Sequence, residues 1–165
     1  MSMIGNYRRI SEARLKDLLA HPEALSAFLY PEDETPADGE EHLDIDKAWH
    51  LIHFLLNGQT WEGTWPLVGA VLGGTELSEE DIGYGPARYL LPGDVSEVSR
   101  GLSDISSEAL WSRFDADAVR KAEIYPEAWQ GDSGDREYIT GNYDRLRLFF
   151  ATAAAKGQAI LLYLN

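Results

Sequence analysis

The sequence predicts an α+β domain in which several helices pack on a small, mixed β-sheet. Strand-like apolar runs occur near the start, in the middle and at the end of the 165-residue chain, with helical spacing between them. Hydrophobic residues make up 44% of the chain. A chain of this length can bury about 70% of the surface that it exposes when unfolded. These observations predict one domain over residues 1–165.

The first quarter of the chain predicts a strand and two helices. The segment "MIGNYRRI" (3–10) has strand-like content, and Ser11 is a suitable N-cap for a helix over 12–20. "PEALSAFLY" (22–30) predicts a short second helix, because proline is favoured at a first helical position. Residues 31–42, rich in proline and acidic residues, predict an exposed and mobile loop.

The rest of the chain predicts helices interrupted by two strands. Asp44 is the candidate cap of a helix that Asn57 and Gly58 terminate, and Asp94 with Glu97 forms a D-x-x-E capping box. Residues 123–137 are rich in turn formers. The predicted helices span 44–57, 67–74, 95–102, 107–113, 116–122 and 143–157, and the predicted strands are "ARYLL" (87–91) and "QAILLYLN" (158–165).

Composition argues against several functional classes. The absence of cysteine excludes a disulfide framework, a thiolate metal site and a cysteine nucleophile. Fourteen basic against 28 acidic residues give a net charge of −14, which disfavours nucleic acids and anionic membranes. No apolar run has the length of a signal peptide or of a membrane span, so we expect a cytoplasmic protein. The acidic surplus either maintains solubility or attracts a basic protein partner.

The segment "LDIDKAWHLIHFLLNG" (43–58) collects polar side chains in one stripe. Asp46, His50, His53 and Asn57 are separated by four, three and four residues, so they share a helix face. In a structural interpretation the histidines bond neighbouring loops or water. In a metal interpretation they need a third ligand from elsewhere. In a site without metal, His53 acts as an acid–base or hydrogen-bonding group.

Two further segments carry candidate binding residues. "GYGPARY" (83–89) lacks the third glycine of a dinucleotide-binding turn, although Arg88 suits a carboxylate or phosphate and Tyr84 lies nearby. A tight turn feeding a strand, with Arg88 in an internal ion pair, explains the same residues. Trp61 and Trp65 form either an interaction surface or a cover for the core.

Much of the chain resembles the YfbM-like family, small bacterial proteins classed as a domain of unknown function. The resemblance rests on residues 43–58 above all, in which Asp46, Lys47, Trp49 and His53 match the family pattern. It extends to "MSMIGNY" at the start and to three later segments. These are "GPARYLLPGDVSEVSRGL" (85–102), "FDADAVRKAEIYP" (114–126) and "LRLFFATAAAKGQAILLYL" (146–164). The resemblance implies a single α+β domain and no particular reaction.

The sequence therefore favours a small cytoplasmic binding or interaction protein over an enzyme. We expect a protein partner of basic character, with a toxin-neutralising or stress-related accessory role as a hypothesis from charge alone. The alternative is an enzyme or ligand-binding protein with Asp46, His53 and Arg88 around one pocket for a small anionic molecule. No cofactor and no metal ion are expected, and no catalytic residue is assigned. The candidate ligand-binding residues are Asp46, Lys47, Trp49, His53, Tyr84 and Arg88.

Overall fold

A five-stranded antiparallel β-sheet organises the residues that the structure describes. The computed structural model describes residues 2–32 and 40–165. Its strands are β1 (Gly5–Ile10), β2 (Glu41–Asp44), β3 (Thr75–Asp81), β4 (Pro86–Leu90) and β5 (Ala159–Leu164), in the spatial order β2-β1-β5-β4-β3. The α+β class is confirmed. The expectation of a mixed sheet is wrong, because β5 lies between β1 and β4 and runs opposite to both.

The helices cover both faces of this sheet. They are α1 (Glu12–Ala20), α2 (Leu25–Leu29), α3 (Trp49–Asn57), α4 (Pro92–Ser103), α5 (Ser107–Trp111), α6 (Ala116–Lys121) and α7 (Ser133–Ala155). Helices α1 and α2 contribute buried leucines to a small core that includes Ile10 and Leu161 of the sheet. The other five contribute to a larger core on the opposite face.

Alternation along the strands assigns each residue to one of the two cores. In β5, Ile160 and Leu162 belong to the larger core, whereas Leu161 and Tyr163 belong to the smaller one. Successive side chains of a strand point to opposite faces, so a central strand buried on both faces reads as a continuous apolar run. The run "AILLYL" of β5 follows from this position.

Most of the predicted elements are confirmed, with shifts at their ends. Helix α1 has the predicted bounds, and the Ser11 side chain accepts a hydrogen bond from the Arg14 backbone amide at 3.0 Å. Helix α4 begins at Pro92, upstream of the predicted residue 95. Asp94 is therefore inside the helix, where its carboxylate accepts from the Leu91 amide. The predicted helix 67–74 is only a 3₁₀ turn over Leu67–Ala70.

Two helices start elsewhere than predicted. Helix α7 begins at Ser133, ten residues before the predicted 143, because Asp132 caps its first turn by accepting from the Asp135 amide. Helix α3 begins at Trp49, since Asp46 has a φ of 52° and a 3₁₀ turn intervenes. The predicted loop over 31–42 falls largely on residues 33–39, which lie outside the described residues. Within the described ranges, no helix is both long and apolar enough to cross a membrane.

Candidate functional site

Asp46 and Lys47 connect the segment before α3 to helix α7 through hydrogen bonds to Tyr138. The Asp46 carboxylate accepts a hydrogen bond from the Tyr138 hydroxyl at 2.8 Å, and that hydroxyl accepts from the Lys47 backbone amide at 2.9 Å. Burial and the bond to Asp46 raise the pKa of Tyr138 above its usual range. The Asp46 amide donates to the Asp44 side chain. These contacts account for both residues as structural connections.

Trp49 is buried at the base of a stack of rings. Its indole N–H donates to the Met3 carbonyl at 2.9 Å, and its ring lies 5.6 Å from Tyr125, 4.9 Å from His50 and 6.4 Å from Trp61. Trp61 continues the stack on His50 at 4.4 Å, and 60% of its own surface remains exposed. The Trp61 indole is therefore held by a ring contact with His50, while most of its surface is open to solvent.

Both histidines of α3 bond the loop that follows the helix. His50 Nε2 donates to the Thr60 carbonyl at 2.9 Å, while its Nδ1 accepts from the Tyr125 amide at 2.8 Å. His53 Nε2 lies 3.0 Å from the Glu62 carbonyl, and its Nδ1 lies 3.3 Å from the Asn57 amide nitrogen. These bonds to a neighbouring loop agree with the structural interpretation of the polar stripe.

Burial keeps these two rings neutral. Burial lowers the pKa of both, and it lowers that of His53 to about 4. In the neutral state, each ring has one donor nitrogen and one acceptor nitrogen, which matches the partners that both rings have. His50 and His53 are thus fully engaged within the fold.

Arg88 and Tyr84 lie in β4 and in the turn before it. The Arg88 guanidinium donates to the Gly73 carbonyl at 2.8 Å and to the Val71 carbonyl at 3.1 Å, where the sequence suggested an ion pair or an anionic ligand. The Tyr84 ring is 38% exposed. The structure thus leaves Asp46, His53 and Arg88 with separate partners. Hydrogen bonds join Asp46 to Lys47 through Tyr138, and the Arg88 charge lies close enough to His53 to lower its pKa.

A cleft with a cavity volume of about 740 Å³ opens elsewhere, on the face of the sheet that carries α1 and α2. Among the described residues that line it are three arginines, two glutamates and His42, so this lining carries a net charge of +1 when His42 is neutral. The whole protein carries −14. The cleft is therefore a local concentration of positive charge, and none of the six candidate residues is among the described residues that line it. The described lining comprises Asn6, Arg8, Arg9, Ile10, Arg14, Ala27, Phe28, Leu29, Tyr30, Pro31, Glu40, Glu41, His42, Tyr163 and Asn165.

Arg8 occupies the centre of β1 with only neutral partners. Its NH2 group donates to the Leu29 carbonyl at 2.9 Å, its Nε lies 3.4 Å from the Tyr163 hydroxyl, and its guanidinium carbon lies 5.9 Å from the centre of the Phe28 ring. Within residues 2–32 and 40–165, no carboxylate lies within 4.0 Å of its nitrogens. Among the described residues, neutral groups hold its charge in place and no carboxylate pairs with it.

The other two arginines carry carboxylate partners. Arg14 also borders the cleft, 5.3 Å from the Phe28 ring centre and 3.3 Å from a Glu40 oxygen. Arg9 points to the other face of the sheet, where its guanidinium binds Glu41 at 3.0 Å. Phe28 therefore supports the guanidinium groups of both Arg8 and Arg14, an attraction that leaves their charge available.

A directional chain of hydrogen bonds leads away from His42. The His42 Nε2 atom lies 2.7 Å from Asn6 Oδ1, and the Asn6 amide group donates to Asn165 Oδ1 at 2.8 Å. The Asn165 amide group lies 3.3 Å from the Tyr30 hydroxyl, which donates to the Ile82 carbonyl at 2.8 Å. A carbonyl can only accept, so every bond in the chain has one permitted direction. His42 must therefore carry its proton on Nε2.

This assignment leaves His42 Nδ1 as a hydrogen-bond acceptor. No described residue bonds that atom, and the ring stacks on Tyr163 with the centroids 6.5 Å apart. Burial and the nearby Arg8 lower the pKa of His42, which keeps the ring neutral, although Asp44 opposes this effect. Burial also raises the pKa of Tyr163, so its hydroxyl stays protonated. The cleft thus offers cationic and hydroxyl donors beside one imidazole acceptor.

Sequence reasoning missed the residues of this cleft, although one signal was present. Strand alternation puts Asn6, Arg8 and Ile10 on one face, and the register places Arg8 opposite His42. Two adjacent arginines inside a strand, one for each face, are themselves unusual in an acidic protein. His42 belongs to a segment that we predicted as loop, so its pairing with β1 had no sequence signal.

Metal coordination has no structural candidate in the described part of the chain. No group of three or more His, Asp or Glu side chains is close enough together there to hold an ion. His50 and His53 bind carbonyls and amides instead.

Comparisons with known proteins relate this chain to a family without an assigned activity. The family model "Domain of unknown function (DUF1877)" matches residues 1–163. A crystal structure of YfbM from Escherichia coli, titled as a protein of unknown function, is similar with a TM-score of 0.74 and 23% identity. The match covers 98% of this chain and 99% of that one. At this identity the likeness shows the fold alone. No curated protein matches the chain.

Proposed function

Because the chain belongs to the DUF1877 family, whose description carries no activity, we propose from its geometry that it binds a small anionic molecule in the Arg8 cleft. The observation that carries the proposal is the state of the Arg8 guanidinium. It is partly buried, oriented by neutral groups, and has no carboxylate in ion-pair range among the described residues. Burying a charge without a partner is costly. A bound anion supplies the missing partner.

The surroundings of Arg8 support an anionic ligand rather than a structural ion pair. The protein has 28 acidic residues, and an internal partner for Arg8 would therefore be easy to supply. Instead, the Leu29 carbonyl and the Tyr163 hydroxyl each occupy one side of the guanidinium. A guanidinium has five N–H donors, so donors remain for a carboxylate or phosphate.

The dimensions of the cleft fit a small molecule. Ligand pockets have volumes of roughly 300–1,000 Å³ and combine apolar walls with a few oriented polar groups. Here Phe28, Tyr30 and Tyr163 supply aromatic surface, while Arg8 and Arg14 supply charge.

Titration of the ¹⁵N-labelled protein with phosphate, acetate and succinate tests the proposal by NMR. We expect saturable shifts at residues that line the cleft, with dissociation constants of about a millimolar for such small probes. Arg8→Met should abolish them. Arg136→Met is the matched control, because Arg136 is exposed on α7 and its loss changes the net charge equally.

A second variant covers the case in which Arg8→Met fails to fold. Arg14 has 40% of its side chain exposed at the cleft and carries a longer ion pair, so Arg14→Met should fold and weaken binding by several fold. If Arg8→Met and Arg14→Met bind the anions as tightly as Arg136→Met does, the cleft is not the anion site.

A second candidate function is contact with a basic protein partner, which the open end of the ring stack favours. Trp61 is 60% exposed, yet His50 holds its ring in place from below. An ordered, exposed indole next to Glu62 suits the guanidinium of an arginine, through cation–π attraction and charge. The net charge of −14 steers basic partners towards such a surface.

A short arginine-rich peptide tests this candidate, with its citrulline analogue as the uncharged control. We expect the peptide to shift the Trp61 indole N–H signal and to bind more weakly after Trp61→Ala. Trp65→Ala is the matched control, because Trp65 is 42% exposed but donates to Glu97 at 2.7 Å. Equal binding by both variants, or by the citrulline peptide, would contradict the candidate.

A further inference from the structure

We propose that the ligand of the Arg8 cleft is an anion that carries a hydroxyl group next to its charged end, and that His42 Nδ1 accepts the hydrogen bond of this hydroxyl. The inference rests on the proposed function, since it needs an anion held by Arg8. It adds a ligand class and a residue that distinguishes members of that class from their unsubstituted analogues.

A chain of hydrogen bonds fixes the tautomer of His42. The hydrogen-bond chain through Asn6, Asn165 and Tyr30 ends at the Ile82 carbonyl, which has no proton to donate. Each member must therefore donate towards that carbonyl. Reversing the Asn6 amide would place its NH₂ group against His42 and two oxygens against each other at Asn165, and it would break the 3.1 Å bond to the Ile4 carbonyl.

The second step is the position of the acceptor relative to the charge. His42 and Arg8 are directly opposite in the antiparallel pair of β2 and β1. Directly opposite residues have Cβ atoms about 4.5–5.5 Å apart on the same face of a sheet. The Tyr163 side chain contacts both groups, with its hydroxyl 3.4 Å from Arg8 Nε and its ring stacked on His42, so a small ligand beside Tyr163 can reach both.

The third step is the balance of donors and acceptors. Arg8, Arg14 and the Tyr163 hydroxyl are donors or cations, whereas His42 Nδ1 is a neutral ring acceptor without a partner among the described residues. His42 is exposed, so solvent can reach this nitrogen, but a simple carboxylate or phosphate offers acceptors only and cannot bond it. A hydroxyl supplies the donor that the nitrogen lacks.

The groups that face His42 support the acceptor role. Arg8 from β1 disfavours protonation of the ring, Asp44 on its own strand favours it, and Tyr163 from β5 packs as a protonated phenol. The Arg8 charge thus favours the neutral form of the His42 ring. If His42 instead acted as a second cation, binding would strengthen as the pH falls.

Matched probe pairs test the inference in the intact protein. The pairs are malate with succinate, 2-hydroxypropyl phosphate with propyl phosphate, and 2-hydroxyethanesulfonate with ethanesulfonate, and each pair differs by one hydroxyl group next to the anionic end. We expect the hydroxylated member to bind about 2- to 12-fold more tightly, as one hydrogen bond allows. The preference should disappear in His42→Phe, which keeps the ring stack on Tyr163, and should persist in His21→Phe, since His21 is exposed.

The sulfonate pair supplies a pH test, because sulfonates stay ionised throughout. As the pH falls below the lowered pKa of His42, the preference for the hydroxylated sulfonate should disappear, since protonated His42 no longer accepts. A preference that is absent at pH 8, that survives His42→Phe, or that grows towards pH 5 would overturn the inference.

The two levels of the proposal fail separately. If Arg8→Met abolishes binding but the two members of each pair bind equally, the anion site stands and the hydroxyl contact is wrong. If Arg8→Met binds all probes as Arg136→Met does, the anion site is wrong and the role of His42 falls with it. His42→Gln, whose amide can replace the donor to Asn6, is the second variant in case His42→Phe fails to fold.

Discussion

His50 connects three parts of the molecule through a single ring. It belongs to α3, it donates to the Thr60 carbonyl of the following loop, and it accepts from the Tyr125 amide of a distant corner. Its side chain is almost completely buried, at 1% exposure. A ring in this setting acts as a fixed part of the framework, and its loss leaves two backbone groups without partners.

We predict that His50→Ala lowers the free energy of unfolding by roughly 3 kcal/mol, because each buried backbone group left unpaired costs about 1–3 kcal/mol. Urea unfolding of wild type and variant measures the difference. His21→Ala is the control. Its side chain is 70% exposed and its partner Glu23 is equally exposed, so a change of less than about 0.5 kcal/mol is expected. Equal losses in both variants would contradict the structural role of His50.

The neutral state of His53 makes stability depend on pH. An unfolded histidine takes up a proton below about pH 6.5, whereas folded His53 does so only near its lowered pKa of about 4. The unfolded state therefore binds more protons in this window, and stability falls as the pH decreases from about 6.5 to 4. The slope from one such group is at most about 1.4 kcal/mol per pH unit.

We predict that His53→Gln makes the pH dependence of unfolding shallower in that window, while His21→Gln leaves it unchanged. Glutamine keeps a donor for the Glu62 carbonyl and does not titrate. Comparing each variant with wild type cancels the contribution of the carboxylates. The same slope in wild type and His53→Gln would show that His53 titrates normally in the folded protein.

At the scale of elements, the sheet edges and the helix starts limited what the sequence predicted. Strand β3 has the sequence "TELSEED", in which charges hide the apolar alternation, and β2 has only Leu43 buried. Both are edge strands, which proteins protect from pairing by charge. Strand β5 was predicted because its environment is apolar on both faces, whereas β1 was predicted from its strand-like content. The predicted helix over 143–157 is shorter than α7, because the first turns of α7 contain two glycines and few apolar residues.

Replacing two glycines of these elements by alanine should change the stability of the protein in opposite directions. Gly58 ends α3 with a φ of 70°, whereas Gly141 lies inside α7, and an added Cβ meets nothing within 4 Å at either position. We predict that Gly58→Ala destabilises by about 1 kcal/mol, because only glycine adopts this conformation without strain. Gly141→Ala should stabilise by about 1 kcal/mol through helix propensity. Chemical denaturation measures both, and changes of equal sign would contradict this placement of the glycines.

At the scale of the whole molecule, the acidic surplus opposes compaction. Within the described ranges the ion pairs are few and mostly exposed, so they neutralise little of the net charge of −14. Like charges on a compact surface repel each other, and dissolved salt screens them over about 10 Å at 0.1 M. The folded state therefore gains from added salt.

We predict that the melting temperature rises by several degrees between about 10 mM and about 300 mM NaCl, since screening relieves this repulsion. Differential scanning calorimetry measures it. The opposite trend is expected for anion binding at the Arg8 cleft, which added chloride should weaken. A melting temperature that falls over the same range would mean that local attractions outweigh the repulsion.

The whole fold also explains why the cleft was not predicted. The sequence contains the histidine stripe of α3 in one segment, so its pattern was visible, and the structure uses it for packing. The cleft combines Arg8, His42 and Tyr163 from three strands that are far apart in the chain. Sequence spacing carries no information about such a group until the strand order is known. Only the arginines inside β1 could have pointed to it.

The pairing of β1 with β5 has a consequence for how the protein folds. Gly5 lies opposite Leu164, so the two central strands are joined by contacts between residues 159 positions apart. Bringing such distant segments together costs chain entropy before any contact rewards it, which slows folding relative to proteins with local contacts. Both hydrophobic cores include residues of β5. A fragment that lacks residues 159–164 would therefore lose the strand between β1 and β4 and part of each core, and we expect such a fragment to remain unfolded.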